Sequence, residues 1–392
     1  MKTSLYVKKQ NINEVSLWKT GVPILGRLDI EITERCNNNC VHCYINLSAT
    51  DLAAKKRELS ISQIKEILKE AVSLGCLTVR FTGGEPLLRE DFEELYIFAR
   101  KLGLKVLIFT NATLIMPHLA DLFSHILPLE KVEITVYGMK KASYEGATRV
   151  SGSFEAAWRG INLLLERKIP FVVKSALLPS NKDEIEEFKE WAKGIPWMDK
   201  PPSYSMFFDL RCRRDGKKNE LIKILRLKPK EGLKILTRRK DEYIKGMQEF
   251  CSKFMRPPGD KLFSCGAGCA GGCVDAYGMF QPCMMLRHPD TVYNLREGSL
   301  KDALTNFFPK VREIKAANPD YLLRCAKCFL KGLCEQCPAK SWMEHGTLDT
   351  PVEYCCEIAH AQARYLGLIK DNEKAWEVGD QKNRIKKFVE LS

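Results

Sequence analysis

The chain has 392 residues, 45% hydrophobic and 28% charged, with a formal charge of +13. Such values belong to a globular protein large enough for one large domain or two ordinary ones. No apolar run approaches a membrane span and "MKTSLYVKKQ" lacks a signal-peptide core, so a cytoplasmic protein away from membranes is expected.

After an N-terminal extension (1–27), apolar strands alternate with amphipathic helices from residue 28 to 208. Strands are predicted at 28–33, 77–82, 105–110, 132–137, 171–177 and 203–208, and helices at 60–74, 91–102, 117–123, 153–167 and 181–193. Ile64, Ile67, Leu68, Ala71 and Val72 share one helical face, and Ser60 with Gln63 has the form of a capping box. Asn181 with Glu184 is expected to open the last helix in the same way. Strands joined by crossover helices make a parallel sheet, doubly wound or curled. Six units do not close the usual eight-stranded barrel, so the α/β fold expected is a partial (β/α)6 TIM-like barrel.

A basic helical connector follows (209–250), and residues 211–240 carry thirteen basic residues against three acidic. The plain reading is a solvated helical face; the sharper one is a docking surface for an acidic peptide or electron donor. Nucleic acid is not expected, because no binding motif accompanies the charge. From 251 to 360 the chain turns rich in Gly, Pro and Cys, which marks a second domain held by ligands more than by an apolar core. "VDAYGMFQPC" (274–283) reads as a hairpin turning at Gly278, and the charged tail (361–392) reads as helical.

Most of the sixteen cysteines fall in two groups, Cys36 to Cys43 and Cys265 to Cys356. In a long chain without a secretion signal that spacing suits metal ligation better than disulfides. Cys76 stands apart and reads as a small buried hydrophobe. "CNNNCVHCY" sets three thiols on one loop, whereas closed zinc and all-cysteine iron–sulfur sites take four. This loop leaves the first strand directly, and "TGGEP" leaves the second, at the end of the sheet where barrel active sites gather.

Cys36-x3-Cys40-x2-Cys43-Tyr44 together with Gly83-Gly84-Glu85-Pro86 resembles the radical S-adenosylmethionine (SAM) superfamily. The resemblance implies that Cys36, Cys40 and Cys43 hold a 4Fe–4S cluster whose fourth iron is left for the amino and carboxylate groups of SAM. One electron then cleaves SAM to a 5′-deoxyadenosyl radical that abstracts a hydrogen atom. It also implies that Gly83, Gly84, Glu85 and Pro86 border the methionine amino group, Tyr44 the adenine, and Thr110 with Asn111 the ribose. Thr135 and Arg149 are candidates for the methionine carboxylate, and His42 for a packing role. The glycines have a physical reason there, since backbone approaches a ligand closely only without a Cβ.

The second field, Cys265, Cys283, Cys325-x2-Cys328-x5-Cys334-x2-Cys337 and Cys355, resembles the SPASM extension of that superfamily, which carries two auxiliary 4Fe–4S clusters. The family pattern has three residues before the fourth cysteine of the middle group, and this chain has two. The resemblance implies Cys265, Cys283 and Cys337 for one cluster, with Cys269, Cys273 or Cys251 as fourth ligand. It implies Cys325, Cys328, Cys334 and Cys355 for the other, with Cys356 as substitute or bystander. Structural zinc sites are the competing reading of the Cys-x2-Cys pairs.

The activity so implied is a radical SAM enzyme that modifies or crosslinks a ribosomally made peptide or a protein side chain, with a flavodoxin or ferredoxin as electron donor. Met284 after Cys283, where the sulfatase-maturing branch has Asp, weighs against formylglycine formation. About 27 residues precede the first strand, too few for an N-terminal peptide-binding domain of about eighty. Cys212, past the sixth strand, is a hydrogen-atom donor or a bystander thiol. The alternatives are a small-molecule substrate such as a tetrapyrrole side chain, and an iron–sulfur electron carrier without SAM chemistry.

Overall fold

The computed structural model describes residues 24–43, 45, 47–205, 216–255 and 257–390. These form two compact units: one from 24–205, 216–225 and 266–309, the other from 226–265 and 310–390.

The first unit is built on a nine-stranded sheet. Its strands are β1 (Arg27–Thr33), β2 (Thr78–Gly83), β3 (Lys105–Thr110), β4 (Leu129–Thr135), β5 (Phe171–Ala176), β6 (Ser203–Ser205), β7 (Gly271–Val274), β8 (Met279–Gln281) and β9 (Tyr293–Asn294). They lie in the order β9-β8-β7-β1-β2-β3-β4-β5-β6. β1 to β6 pair in parallel and in sequence order, which is the partial barrel expected. Residues 206–208, where the sequence extends β6, lie outside the described residues. β7 adds in parallel to the other edge of β1, and β8 returns antiparallel beside it through a turn at Gly278.

Crossover helices cover the sheet: α1 (Leu52–Arg57), α2 (Ile61–Ser73), α3 (Phe92–Lys101), α4 (Pro117–His125), α5 (Lys141–Thr148), α6 (Ser153–Glu166) and α7 (Ile185–Lys193). Strand side chains alternate between faces. Ile30, Phe81, Ile108, Ile134 and Phe171 are buried in one core with helical Leu68, Leu95, Phe123 and Leu164. The intervening Asp29, Glu31, Arg80, Glu133 and Lys174 fall on the other face, where Arg80 bonds Asp29 at 3.1 Å and Lys174 pairs with Glu133.

Ser60 and Gln63 do form a reciprocal capping box on α2. Asn181 does not cap α7. Its amide instead accepts from Leu178 N–H and donates to the carbonyls of Tyr137 and Ala176, tying the loop to two strand ends. Glu184 accepts from Met139 N–H and the Ser143 hydroxyl. Local pattern promised a cap; long-range partners took both side chains.

α8 (Gly216–Leu225) also belongs to the first unit. The second unit contains α9 (Pro229–Leu236), α10 (Lys240–Phe254), α11 (Lys331–Cys334), α12 (Pro338–His345), α13 (Glu353–Tyr365) and α14 (Gln381–Glu390). Cys251, Phe329, Leu330, Ala363, Leu368 and Phe388 share its apolar core, and Gln248 bonds the Phe388 carbonyl. Connector and tail therefore pack with the 310–360 cysteines, while 266–309 completes the sheet. Among the described residues, no helix is long and apolar enough to cross a membrane.

Candidate active site

The exit of β1 is held rigidly before the cysteine loop begins. Buried Arg35 donates to Glu58 at 2.9 and 3.1 Å and to the Ala49 carbonyl, and the Thr33 hydroxyl donates to the same Glu58. Buried Arg89 donates to the carbonyls of Ile32 and Leu59. These arginines satisfy backbone that leaves the sheet, which loops near a site otherwise expose.

Beyond Arg35, the N–H groups of Asn39 and Val41 donate to the carbonyls of Thr148 and Ala147, each at 2.9 Å. Those are last-turn carbonyls of α5 that lack partners within the helix. The cysteine loop is thus seated on a helix C-terminus. Arg149, the next residue, is exposed and left-handed at φ 56°. Thr135 ends β4, half-buried beside Lys174 of β5. His42 packs on Tyr137 with ring centroids 5.3 Å apart, and removal from water lowers its pKa to about 4. Tyr44 lies outside the described residues.

The glycine loop is zipped onto the same segment. Gly84 N–H donates to Thr33 carbonyl at 2.8 Å, and Glu85 N–H to Arg35 carbonyl at 2.9 Å. A Cβ on Gly83 would lie 2.0 Å from the Thr33 oxygen, and one on Gly84 2.1 Å from the Arg35 oxygen. Gly83 also has φ +125°. The missing Cβ atoms therefore face protein backbone, a reason for glycine separate from the ligand approach expected from the sequence.

Fully buried Glu85 carries the connection to the third loop. Its carboxylate accepts from Leu87 N–H, the Thr110 hydroxyl (2.8 Å) and Asn111 N–H (2.8 Å). Burial pushes its pKa up to about 7, against the lowering effect of those donors. Asn111 then reaches Asn37 at 3.0 Å and the Cys36 sulfur at 3.8 Å. Cys36, Glu85, Thr110 and Asn111 thus form one hydrogen-bonded unit, while Pro86 starts the turn Pro86–Leu88.

The donor set suits an iron–sulfur cluster. Cys36 Sγ already accepts from Asn38 N–H at 3.4 Å. The Asn38 side-chain amide is buried with neither polar atom hydrogen-bonded among the described residues, which leaves a donor for a sulfide or thiolate. Burial, then the Glu85 carboxylate, drives the Cys36 thiol well above its ordinary range, and burial pushes Cys40 up to about 12. A bound cationic metal would offset that cost and stabilise the thiolates there. The sequence reading passed over Asn37, Asn38 and Thr113; the unbroken Asn37–Asn39 run inside the cysteine motif was their signal.

The remaining cysteines are dispersed over both units. Cys269 is exposed in a turn, Cys273 is fully buried in β7 and Cys283 follows β8, all in the first unit. Cys265, in the second, offers its carbonyl to Arg312. Cys325 closes the π-helical turn Tyr321–Cys325, Cys334 closes α11, Cys337 precedes α12, and Cys355 and Cys356 lie in the first turn of α13. Cys251 and Cys76 are buried in the two apolar cores. Cys212 lies outside the described residues. No disulfide joins the described cysteines.

Comparison with known proteins agrees with this geometry. Residues 30–192 match the sequence model of the Radical SAM superfamily. An AdoMet-dependent heme synthase of Methanosarcina barkeri (strain Fusaro / DSM 804) is 25% identical over 346 residues, 83% of this chain and 94% of that protein. An Fe-coproporphyrin III synthase of the same organism is 30% identical over 154 residues, but these are only 39% of this chain and 37% of that one. Among solved structures, anSMEcpe with bound AdoMet superposes with a TM-score of 0.63 at 18% identity, over 93% of this chain and 98% of that one. The same protein with bound AdoMet and Cp18Cys peptide gives 0.61, over 94% and 100%. With the cysteine loop and the glycine loop hydrogen-bonded together at the end of a partial barrel, and this match across β1 to β5, residues 30–192 form a domain of the radical SAM superfamily.

Proposed function

We propose that this enzyme abstracts a hydrogen atom from a ribosomally made peptide or a protein side chain, with auxiliary iron–sulfur clusters in its cysteine-rich C-terminal part. The observation that carries the radical chemistry is the junction of Cys36–Cys43 with Gly83–Glu85, where one loop offers three thiols and no fourth. Cys36, Cys40 and Cys43 would hold a 4Fe–4S cluster, which when bound would supply the electron for SAM cleavage.

The chain's own groups do the rest. Asn38 N–H and Asn111 direct hydrogen bonds at the Cys36 sulfur, and Glu85 keeps the second and third loops in register with it. Burial of Cys40 and Glu85 excludes water from the reacting centre. On the face of the sheet away from the apolar core, Arg80 and Lys174 both lie against the Phe109 ring, at 4.4 and 3.7 Å from its centroid. Arg287 reaches Glu31 at 2.6 Å nearby in the same unit. These charges suit a polar substrate rather than a hydrocarbon one.

Correspondence over nearly the whole chain with a protein that takes a peptide favours the peptide reading. A carboxylate-bearing small molecule such as a tetrapyrrole is the second reading, favoured by the match to nearly the full length of a heme synthase. The anaerobically reconstituted, reduced enzyme is expected to release 5′-deoxyadenosine from SAM. Product masses after incubation with candidate peptides and with porphyrins separate the substrate readings. Conversion of porphyrin alone would overturn the peptide proposal, and failure to turn over SAM would overturn both.

A further inference from the structure

The thiols of the cysteine loop sit in unequal surroundings. The Cys36 sulfur accepts from Asn38 N–H at 3.4 Å and has the Asn111 amide at 3.8 Å, both nitrogen donors from loops. Cys40 is buried, and its sulfur accepts from the Tyr137 hydroxyl instead. The phenol is the donor of the pair, since the bond favours the Cys40 thiolate and raises the pKa of Tyr137. Removal from water, then the charges of Cys40 and Cys43, hold that hydroxyl well above the ordinary range of a phenol, so it keeps its proton.

The Tyr137 ring is fixed from several sides. His42 packs on it with centroids 5.3 Å apart, and Tyr144 of α5 meets it edge-on at 5.7 Å. The Tyr137 carbonyl accepts from the Asn181 amide at 2.7 Å, and that amide is itself tied to Ala176 and Leu178. Tyr144 lies one turn before Ala147 and Thr148, whose carbonyls seat the cysteine loop. One helix thus braces both the loop and the phenol that bonds to it.

A sulfur that must carry negative charge out of water gains from such a donor. Burial, then the Glu85 carboxylate, disfavour negative charge at Cys36, and reduction of a cluster held there adds one more electron. A hydroxyl directed at a ligand sulfur works the other way. It stabilises the reduced form more than the oxidised one and so raises the potential.

We propose that Tyr137 acts on the SAM-binding cluster through Cys40, its hydroxyl donating to that thiolate and raising the potential at which the cluster accepts its electron. This rests on the reading that Cys36, Cys40 and Cys43 hold the cluster.

An EPR-monitored redox titration of the anaerobically reconstituted full chain tests it, read on the signal that changes when SAM is added. Tyr137→Phe keeps the ring and removes only the hydroxyl. It is expected to retain all the iron and to move the midpoint of that signal to lower potential. Tyr96→Phe, which removes a buried hydroxyl bonded to the Ile126 carbonyl, is expected to leave the midpoint in place. An unmoved midpoint in Tyr137→Phe, or an equal shift in both variants, overturns the role of Tyr137. Absence of any SAM-responsive signal in the unsubstituted protein overturns the cluster reading as well. If Tyr137→Phe takes up less iron, 3-fluorotyrosine placed at position 137 decides. It keeps the packing, donates more strongly and should raise the midpoint; no rise counts against the assignment.

Discussion

Glu85 shows how one side chain governs a loop cluster. Its carboxylate is fully buried, yet its three donors come from two different loops, so it cannot be replaced by an apolar residue without orphaning them. Burial holds its pKa near 7 in the folded chain, above the ordinary 4.5. The folded state therefore binds the proton more tightly than the unfolded one. Its contribution to stability is largest below pH 4.5, falls as pH rises toward about 7, and is level above that. Urea midpoints of the cluster-free chain between pH 5 and 8 should decline across that window, and Glu85→Gln should flatten the decline. Parallel curves for the two proteins would show that the carboxyl is ionised throughout. At the same scale, Gly83 and Gly84 are confined by carbonyl oxygens barely 2 Å from where a Cβ would stand. The motif glycines are thus indispensable to the fold itself.

Elements were legible where apolar residues alternate strongly. Five of the six barrel strands appear at their expected places, since Ile30, Val79, Ile108, Val132 and Val173 repeat on one face. α5 escaped notice because its buried face is Ser143, Tyr144, Ala147 and Thr148, too small and polar to signal a helix. β7, "GGCV", has no alternation and is defined by pairing with β1 across more than two hundred residues. At the site, the thiols and glycines declared themselves, whereas Arg35, Glu58 and Asn111 act through partners remote in sequence. α5 proves to be the support of the cysteine loop. Val41→Pro removes the donor to Ala147 and should lower iron retention by the first site while helix content by circular dichroism is kept. Full iron retention would show that Asn39 alone seats the loop.

For the whole molecule, charge is the leading property. The excess of +13 is concentrated in part along residues 211–240, which places basic residues on α8 and α9 at largely exposed positions. An acidic flavodoxin or ferredoxin would be drawn to such a chain over roughly a Debye length, about 10 Å at 0.1 M salt. Raising ionic strength should then slow reduction by that donor, measured by stopped-flow bleaching, and leave reduction by dithionite nearly unchanged. Equal slowing of both would remove steering as the explanation.

β7 has a bearing on how this protein can be taken apart. Its hydrogen bonds run along β1, the strand that launches the cysteine loop. A chain cut before residue 266 would leave β1 as an open, apolar border strand, ready to stick to its own copies. Residues 266–309 are in this sense a hem sewn to the barrel, and excised barrels should precipitate rather than serve as a minimal catalyst.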